Sequence, residues 1–376
     1  MARILLVTGE ASGDLHGATL ARAIHGLQPE TRLLGVGGAK MTEAGVTLIP
    51  GIHPVDAIGM PGLTHLMAGL RNLIHIRHLL RRERFDVIVF IDSPGMNLRL
   101  ARTAAKMGQR VVYYIAPQIW AWGASRMNLI RRVVHRIIVI FPFEEGLFRQ
   151  AGIPCNFVGH PLLDSLDPSY RQPSVRAHFG ISQHSPVLGL LPGSRECEVR
   201  RMLPTMLKTA QRVLALYPLA RCLIARAPSV SRQLVQALVE KGGTPVQIID
   251  DQSNEVMAAS DVLLVTSGTA TLQAAVIGTP MVIVYRVSWL TYQIAKRLMR
   301  VQWIGLVNII AGRLVVPELI QQHLTPERLS AEALRLLADS HAAEDMRKSF
   351  RTIRESLGGP GASQRAAQIV LEEAQQ

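Results

Sequence analysis

The feature that most constrains this chain is a rhythm that occurs twice. Short runs that are apolar on both faces, at residues 4–7, 87–91, 111–115 and 137–140, alternate in the first half with helical stretches such as 15–26 and 98–108. A run with no polar face suits a parallel strand covered by helices on both sides. Between Leu166 and Pro186 the composition changes to prolines and serines, and then a second series begins. It has strand-like runs at 187–191, 221–225, 246–249, 261–265 and 281–285, with a helical pattern at 198–217. Two such series predict an α/β chain of two doubly wound, Rossmann-like domains facing a central cleft. The expected division is residues 1–166, a linker at 167–186, a second domain at 187–349, and a C-terminal helical segment, 350–376, that rejoins the first domain.

Composition narrows the function. Cys155, Cys197 and Cys222 are scattered and odd in number, which argues against a disulfide framework or a zinc site and for a reducing compartment. Residues 262–285 carry no charge, yet Thr266-Ser-Gly-Thr-Ala-Thr271 and Gly278-Thr-Pro280 interrupt them, so they read as strand, loop, helix and strand rather than a membrane span. The formal charge of +13 calls for an anionic partner: nucleic acid, an anionic membrane or phosphorylated substrates. Aromatic residues are only 5%, with no basic run interleaved with them, so nucleic acid is the weakest of the three. The basic, amphipathic stretch 60–85 suits a helix lying in a headgroup layer, although the same leucines suit a helix packed on its own domain.

Ligands of open parallel sheets bind beyond the carboxyl ends of the strands. Five loops there carry chemistry. Thr8-Gly9-Glu10-Ala11-Ser12-Gly13-Asp14 combines small residues with two acids before a helix, fit either to hold sugar hydroxyls or to cap. Asp92 ends a buried strand, where burial would make it a better base near neutrality. Ala116-Pro-Gln-Ile-Trp-Ala-Trp122 offers either a packed lid or a platform for a sugar or acyl chain. Leu190-Leu-Pro-Gly-Ser-Arg195 and Thr266-Ser-Gly-Thr-Ala-Thr271 each open a helix with amides suited to anions. No D-x-D triplet occurs, so a metal-clamped diphosphate is not indicated, and a nucleotide-diphosphate donor is the economical reading of the second domain.

These segments resemble the lipid-A-disaccharide synthases. The matches are Gly9-Glu-Ala-Ser-Gly-Asp14, Ile91-Asp-Ser-Pro94 with Asn97, Pro117-Gln-Ile-Trp-Ala-Trp122 and Phe141-Pro-Phe-Glu144, followed by Gly159-His160, Leu191-Pro-Gly-Ser-Arg195, Ser267-Gly-Thr-Ala-Thr271 and Asn308-Ile-Ile-Ala-Gly312. The resemblance implies a GT-B fold and an inverting, metal-independent transfer with no cofactor: 2,3-diacylglucosamine passes from UDP to 2,3-diacylglucosamine 1-phosphate in lipid A, hence lipopolysaccharide, biosynthesis. It implies a peripheral enzyme on the cytoplasmic face of the inner membrane of a Gram-negative bacterium, in a homodimer. It also implies Asp92 as base and Arg195 on the diphosphate, with His16 and His160 as rival bases. On the acceptor side it places Glu10, Ser12, Gly13, Asp14, Asn97, Gln118 and Trp120; on UDP it places Gly193, Ser194, Arg195, Ser267, Gly268, Thr269, Ala270, Thr271, Gln273 and Asn308. Gly95, Met96, Gln273 and Val307 depart from the family's usual residues. A GT-B enzyme with another acceptor, a UDP-sugar 2-epimerase and an inactive sugar-nucleotide-binding paralogue are the alternatives.

Overall fold

The computed structural model describes residues 1–9, 11–52, 63–120, 126–166, 172–299 and 301–376. Glu10 and Trp122, and positions 60–62 of the basic stretch, lie outside the described residues. The chain divides into two compact units, Met1–Ser165 with Leu357–Gln376, and Leu166–Ser356.

The first unit holds seven parallel strands: β1 (Arg3–Thr8), β2 (Arg32–Val36), β3 (Thr47–Leu48), β4 (Val87–Ile91), β5 (Val111–Tyr114), β6 (Arg136–Val139) and β7 (Cys155–Phe157). Their order is β3-β2-β1-β4-β5-β6-β7. The second holds six, β8 (Val187–Leu191), β9 (Arg221–Arg226), β10 (Gln247–Asp250), β11 (Val262–Thr266), β12 (Met281–Tyr285) and β13 (Glu318–Ile320), ordered β10-β9-β8-β11-β12-β13. Every residue of β4, β8 and β11 is buried, as strands with helices on both faces require. The two doubly wound sheets are those that the repeated apolar runs predict.

The winding direction reverses between β1 and β4 in the first sheet and between β8 and β11 in the second. At such a reversal the two following loops diverge and leave a crevice beyond the carboxyl ends, where doubly wound sheets bind ligands. The loops at the two reversals are those carrying Ser12–Asp14 with Asp92, and Arg195 with Ser267–Gln273.

Two boundaries differ from expectation. Much of the expected linker is folded into the second unit: in the helix Gln172–His178, the buried Arg176 pairs with Asp261 at 2.7 Å and donates to the Ala259 carbonyl. The helix Ser340–Ser356 also stays with the second unit, burying Met346, Phe350 and Ile353 and packing on the helix Thr269–Ile277, so the return begins at Leu357 rather than at 350. The helix Ala362–Ala374 then packs on the helix Ala11–Leu27. Asp164 caps it by accepting from the N–H groups of Gly361 (2.6 Å) and Ser363 (3.1 Å), and the buried Glu373 pairs with Arg110 and Arg136.

The basic stretch forms the helix Leu63–Arg82. Where its side chains are described, Leu73, Ile76 and Leu80 point into the first core and Ile74 is exposed, so this part packs on its own unit. No helix among the described residues is long and apolar enough to cross a membrane.

Candidate active site

In the first unit Gly9 lets the loop after β1 meet the loop after β4, and Gly13 lets the following helix close on the end of β1. A Cβ on Gly9 would lie 2.8 Å from Ser93 Oγ, and one on Gly13 would lie 3.0 Å from Thr8 Cβ. Beside them Asp92 and Ser93 take successive left-handed conformations, with φ of 50° and 46°. Non-glycine residues seldom adopt that region, and each such residue costs about 1–3 kcal/mol unless the surroundings hold it. Here they do. Asn97 Nδ2 donates to the carbonyls of Ile91 (3.0 Å) and Asp92 (2.8 Å), and the Tyr113 hydroxyl donates to the Asp92 carbonyl at 2.6 Å. The half-buried Asp92 side chain is thereby set at the reversal point. Burial first, then the Asp92 charge, push the Tyr113 hydroxyl well above its usual range, while Arg126 opposes. Asn97 is fully buried and clamps this turn, so it acts on a ligand only through the turn. A Cβ on Gly95 would meet nothing within 4 Å, so the side chain usual in the family would fit there.

Asp14 has a structural task. Its carboxylate accepts from the N–H groups of Gly38 (2.7 Å), Lys40 (3.2 Å) and Met41 (3.2 Å), capping the helix Ala39–Glu43. The expected sugar ligand thus also holds amides 24 to 27 residues away, which fixes its carboxylate in place. Ser12 is exposed and Gly13 buried. Burial holds His16 and His160 near a pKa of about 4, and the neighbouring His16 pushes His160 further in that direction. His160 Nδ1 also accepts the Leu162 N–H at 3.1 Å, which puts its proton on Nε2 and leaves that ring no free lone pair to act as a base.

Gln118 is exposed and Trp120 half-buried beyond β5. The Trp120 indole donates to Glu144 Oε1 at 2.9 Å and meets Phe143 edge-on at 5.2 Å, while Phe143 stacks on Phe141. Glu144 is missing from the sequence-derived site, although Phe141-Pro-Phe-Glu144 has capping-box spacing. It is 1% exposed, and burial raises its carboxyl from 4.5 to about 7. For an acid whose folded pKa is raised, the native state loses stability as pH climbs from the unfolded value through the folded one. Glu144→Gln is therefore expected to match wild type near pH 5 and to exceed it near pH 8, by up to about 3 kcal/mol. Urea denaturation at both pH values measures this, and equal differences at the two would contradict it.

The second unit's reversal point is built differently on its two sides. After β8, the N–H groups of Ser194 (3.2 Å) and Arg195 (3.3 Å) donate to Glu198 Oε2, and the Arg195 guanidinium donates to Oε1 at 3.2 Å. Gly193 is required: its φ is 118°, and a Cβ would lie 2.6 Å from that carboxylate. The amides expected to cradle a diphosphate are thus already committed to Glu198, three residues along in a capping box that the sequence shows. The Arg195 side chain, 59% exposed and paired among the described residues with Glu198 alone, is the exposed cationic element. After β11, no side chain among the described residues caps the helix Thr269–Ile277. Gly268 and Thr269 are exposed, with Ala270 and Gln273 half-buried. A helix start of this kind has free amides of the sort that suit an anion. Thr271 is the exception, since its buried hydroxyl closes the turn on the Gly268 carbonyl at 2.8 Å.

Asn308 also departs from expectation. Fully buried, it donates to the Val316 carbonyl and Glu318 Oε1, both at 2.8 Å, and accepts from the amides of Val315 and Val316. Glu318 in turn accepts from the amides of Ile304 and Gly305, and Ser267 Oγ donates to the Ile304 carbonyl at 3.0 Å. Asn308 and Glu318 therefore brace the loop that Ser267 touches, with no Asn308 donor or acceptor left for a nucleotide. Asn308→Ala is expected to lower stability by about 3 kcal/mol or more, because several buried backbone groups lose their partners together. Calorimetry measures it, and a change under about 0.5 kcal/mol, the range of an unremarkable surface substitution, would contradict the bracing role.

The model of the family described as lipid-A-disaccharide synthetase matches residues 4–372. The chain is 41% identical over 371 residues to the lipid-A-disaccharide synthase of Geobacter sulfurreducens, covering 98% of this chain and 97% of that one. It is equally identical over 375 residues to that of Syntrophus aciditrophicus, again covering 98% and 97%. Among solved structures, the putative UDP-N-acetylglucosamine 2-epimerase of Listeria monocytogenes aligns with a TM-score of 0.66 at 12% identity, covering 97% of this chain and 94% of that one. The UDP-GlcNAc 2-epimerase of Neisseria meningitidis aligns at 0.64 and 14% identity, covering 98% and 100%. At such identities the structural likeness speaks for the fold alone. The match along nearly the whole length, together with the motifs standing at both reversal points, places this chain in the lipid-A-disaccharide synthase family.

Proposed function

We propose that the chain condenses UDP-2,3-diacylglucosamine with 2,3-diacylglucosamine 1-phosphate, giving the β-1,6-linked disaccharide 1-phosphate and UDP. The observation that carries this reading is the meeting of family membership with a held carboxylate at one reversal point and a cationic, amide-rich site at the other. Asp92 accepts the proton of the acceptor's 6-hydroxyl as that oxygen attacks C1 of the donor. The C1–oxygen bond to UDP breaks on the opposite face, so the configuration inverts. Arg195 and the helix start at Gly268–Ala270 stabilise the charge growing on the departing diphosphate. Asn97 and Tyr113 keep Asp92 in its strained turn, and Gln118 and Trp120 face the acceptor. The acyl chains of both substrates put the enzyme at an anionic membrane surface, as a peripheral protein on the inner face of the inner membrane.

The test is release of UDP in detergent with and without the acceptor, set beside incubation with UDP-N-acetylglucosamine alone. Release that needs the acceptor supports the transfer. Epimerised UDP-sugar without any release would overturn it in favour of the activity named for the structural neighbours.

A further inference from the structure

One surface of the second unit is left unexplained by the transfer reaction. From Val262 to Pro317 the sequence has no acidic residue, while Arg286, Lys296, Arg297, Arg300 and Arg313 fall within it. The helix Trp289–Leu298 lies in this stretch, its start fixed by Ser288, whose hydroxyl accepts the Thr291 N–H at 3.2 Å. Three large apolar side chains on it face solvent, with Trp289 74%, Leu290 64% and Ile294 51% exposed. At 3.6 residues per turn they share one arc of about 160° with Lys296 and Arg297, which are exposed too. Tyr292, Ala295 and Met299 are half-buried on the other side. A soluble helix ordinarily turns such residues inward, and a grouped apolar patch with a basic end marks an interaction surface.

The chemistry selects the occupant. A protein partner of ordinary stability covers about 800 Å² on each side, more than one such helix offers. An anionic bilayer suits every part: indole rings favour the headgroup level, leucine and isoleucine favour the acyl boundary, and basic side chains extend to lipid phosphates. Position agrees as well. The helix follows β12, at the same carboxyl end of the parallel sheet as the loops of Arg195 and Ser267. We propose that the helix Trp289–Leu298 is a membrane-docking element of the second unit, laying Trp289, Leu290 and Ile294 into an anionic bilayer beside the loops assigned to the donor. It deepens the reading that the substrates are acylated sugars held in a bilayer, and rests on that reading only for its purpose.

The experiment is flotation of the full chain with vesicles of phosphatidylcholine alone or mixed with phosphatidylglycerol. Two variants accompany wild type: Trp289→Ser/Leu290→Ser/Ile294→Ser, and Lys296→Glu/Arg297→Glu. Wild type is expected to float with the mixed vesicles, and each variant to partition at least about tenfold less. Variants that float as wild type does, or a wild type that ignores the mixed vesicles or binds both kinds equally, would overturn the proposal. So would sedimentation showing that wild type dimerises through this face and the triple variant does not. Acceptor-dependent UDP release in detergent, run on the same three proteins, tests the reaction separately: activity retained without flotation sinks the docking helix and leaves the transferase reading standing.

Discussion

If Asp92 is the base proposed above, Asp92→Asn is expected to lower kcat by about two to four orders of magnitude, the usual contribution of a positioned general base, and to leave donor KM near its wild-type value. Asparagine is the informative replacement because the position is left-handed. Asp92 and Ser93 have φ of 50° and 46°, and asparagine tolerates that region better than alanine does. The turn, the Asn97 clamp and the Tyr113 hydrogen bond all engage the Asp92 backbone, so they persist when the carboxylate is lost. Asp92→Ala removes the same proton acceptor and also leaves the strain less well tolerated, so it should show reduced stability on top of the same kinetic loss. A fall in kcat shared by both variants, with a fall in melting temperature only for alanine, separates chemistry from folding. An Asp92→Asn enzyme within about threefold of wild type would move the base elsewhere. His160, with Nδ1 already taken by Leu162, would still be a poor successor, and His16 the better one.

On the proposed role of Arg195, Arg195→Ala is expected to cost about a hundred- to a thousandfold in kcat/KM for the donor, the scale seen when one preorganised donor to a developing anion is removed. Stability should change by less than about 1 kcal/mol, because the side chain is 59% exposed and its only ion pair among the described residues is the i,i+3 contact with Glu198. Arg195→Lys recovers part of the loss, since an ammonium keeps the charge but not the planar fork. Measuring kcat and KM separately matters. A loss confined to KM would mean that Arg195 grips the bound donor uniformly, and a loss in kcat that it stabilises the departing UDP.

The sheets were legible because a strand covered on both sides leaves no choice of residue. All five positions of β4, β8 and β11 are buried, and all but Thr266 are apolar or glycine. Of the strands outside the predicted runs, β3 has two residues, β7 is Cys155-Asn156-Phe157 and β13 opens with Glu318, while β2, Arg32-Leu-Leu-Gly-Val36, is a run buried from Leu33 on and broken by a glycine. The site was legible in part for the same reason. Loops at the reversal points must be glycine-rich or polar, and Gly9, Asp92, Arg195 and Ser267 stand at those two crevices. What residue types do not disclose is where a side chain spends its hydrogen bonds. Asp14 serves amides in the next βα unit, Asn308 serves Val315, Val316 and Glu318, and Thr271 closes its own turn. Each has a structural task that its residue type does not show. Glu144 and Glu198 were hidden the other way, as carboxylates whose capping-box spacing reads as mere helix starts.

The most direct measurement is mass spectrometry of the lipid product after wild type and Asp92→Asn are each given UDP-2,3-diacylglucosamine and 2,3-diacylglucosamine 1-phosphate in detergent. The expected result is a disaccharide 1-phosphate formed one-for-one with UDP by wild type, and slowed at least about a hundredfold in the variant. UDP formed by wild type without any disaccharide, or a disaccharide formed at equal rates by both proteins, would contradict it.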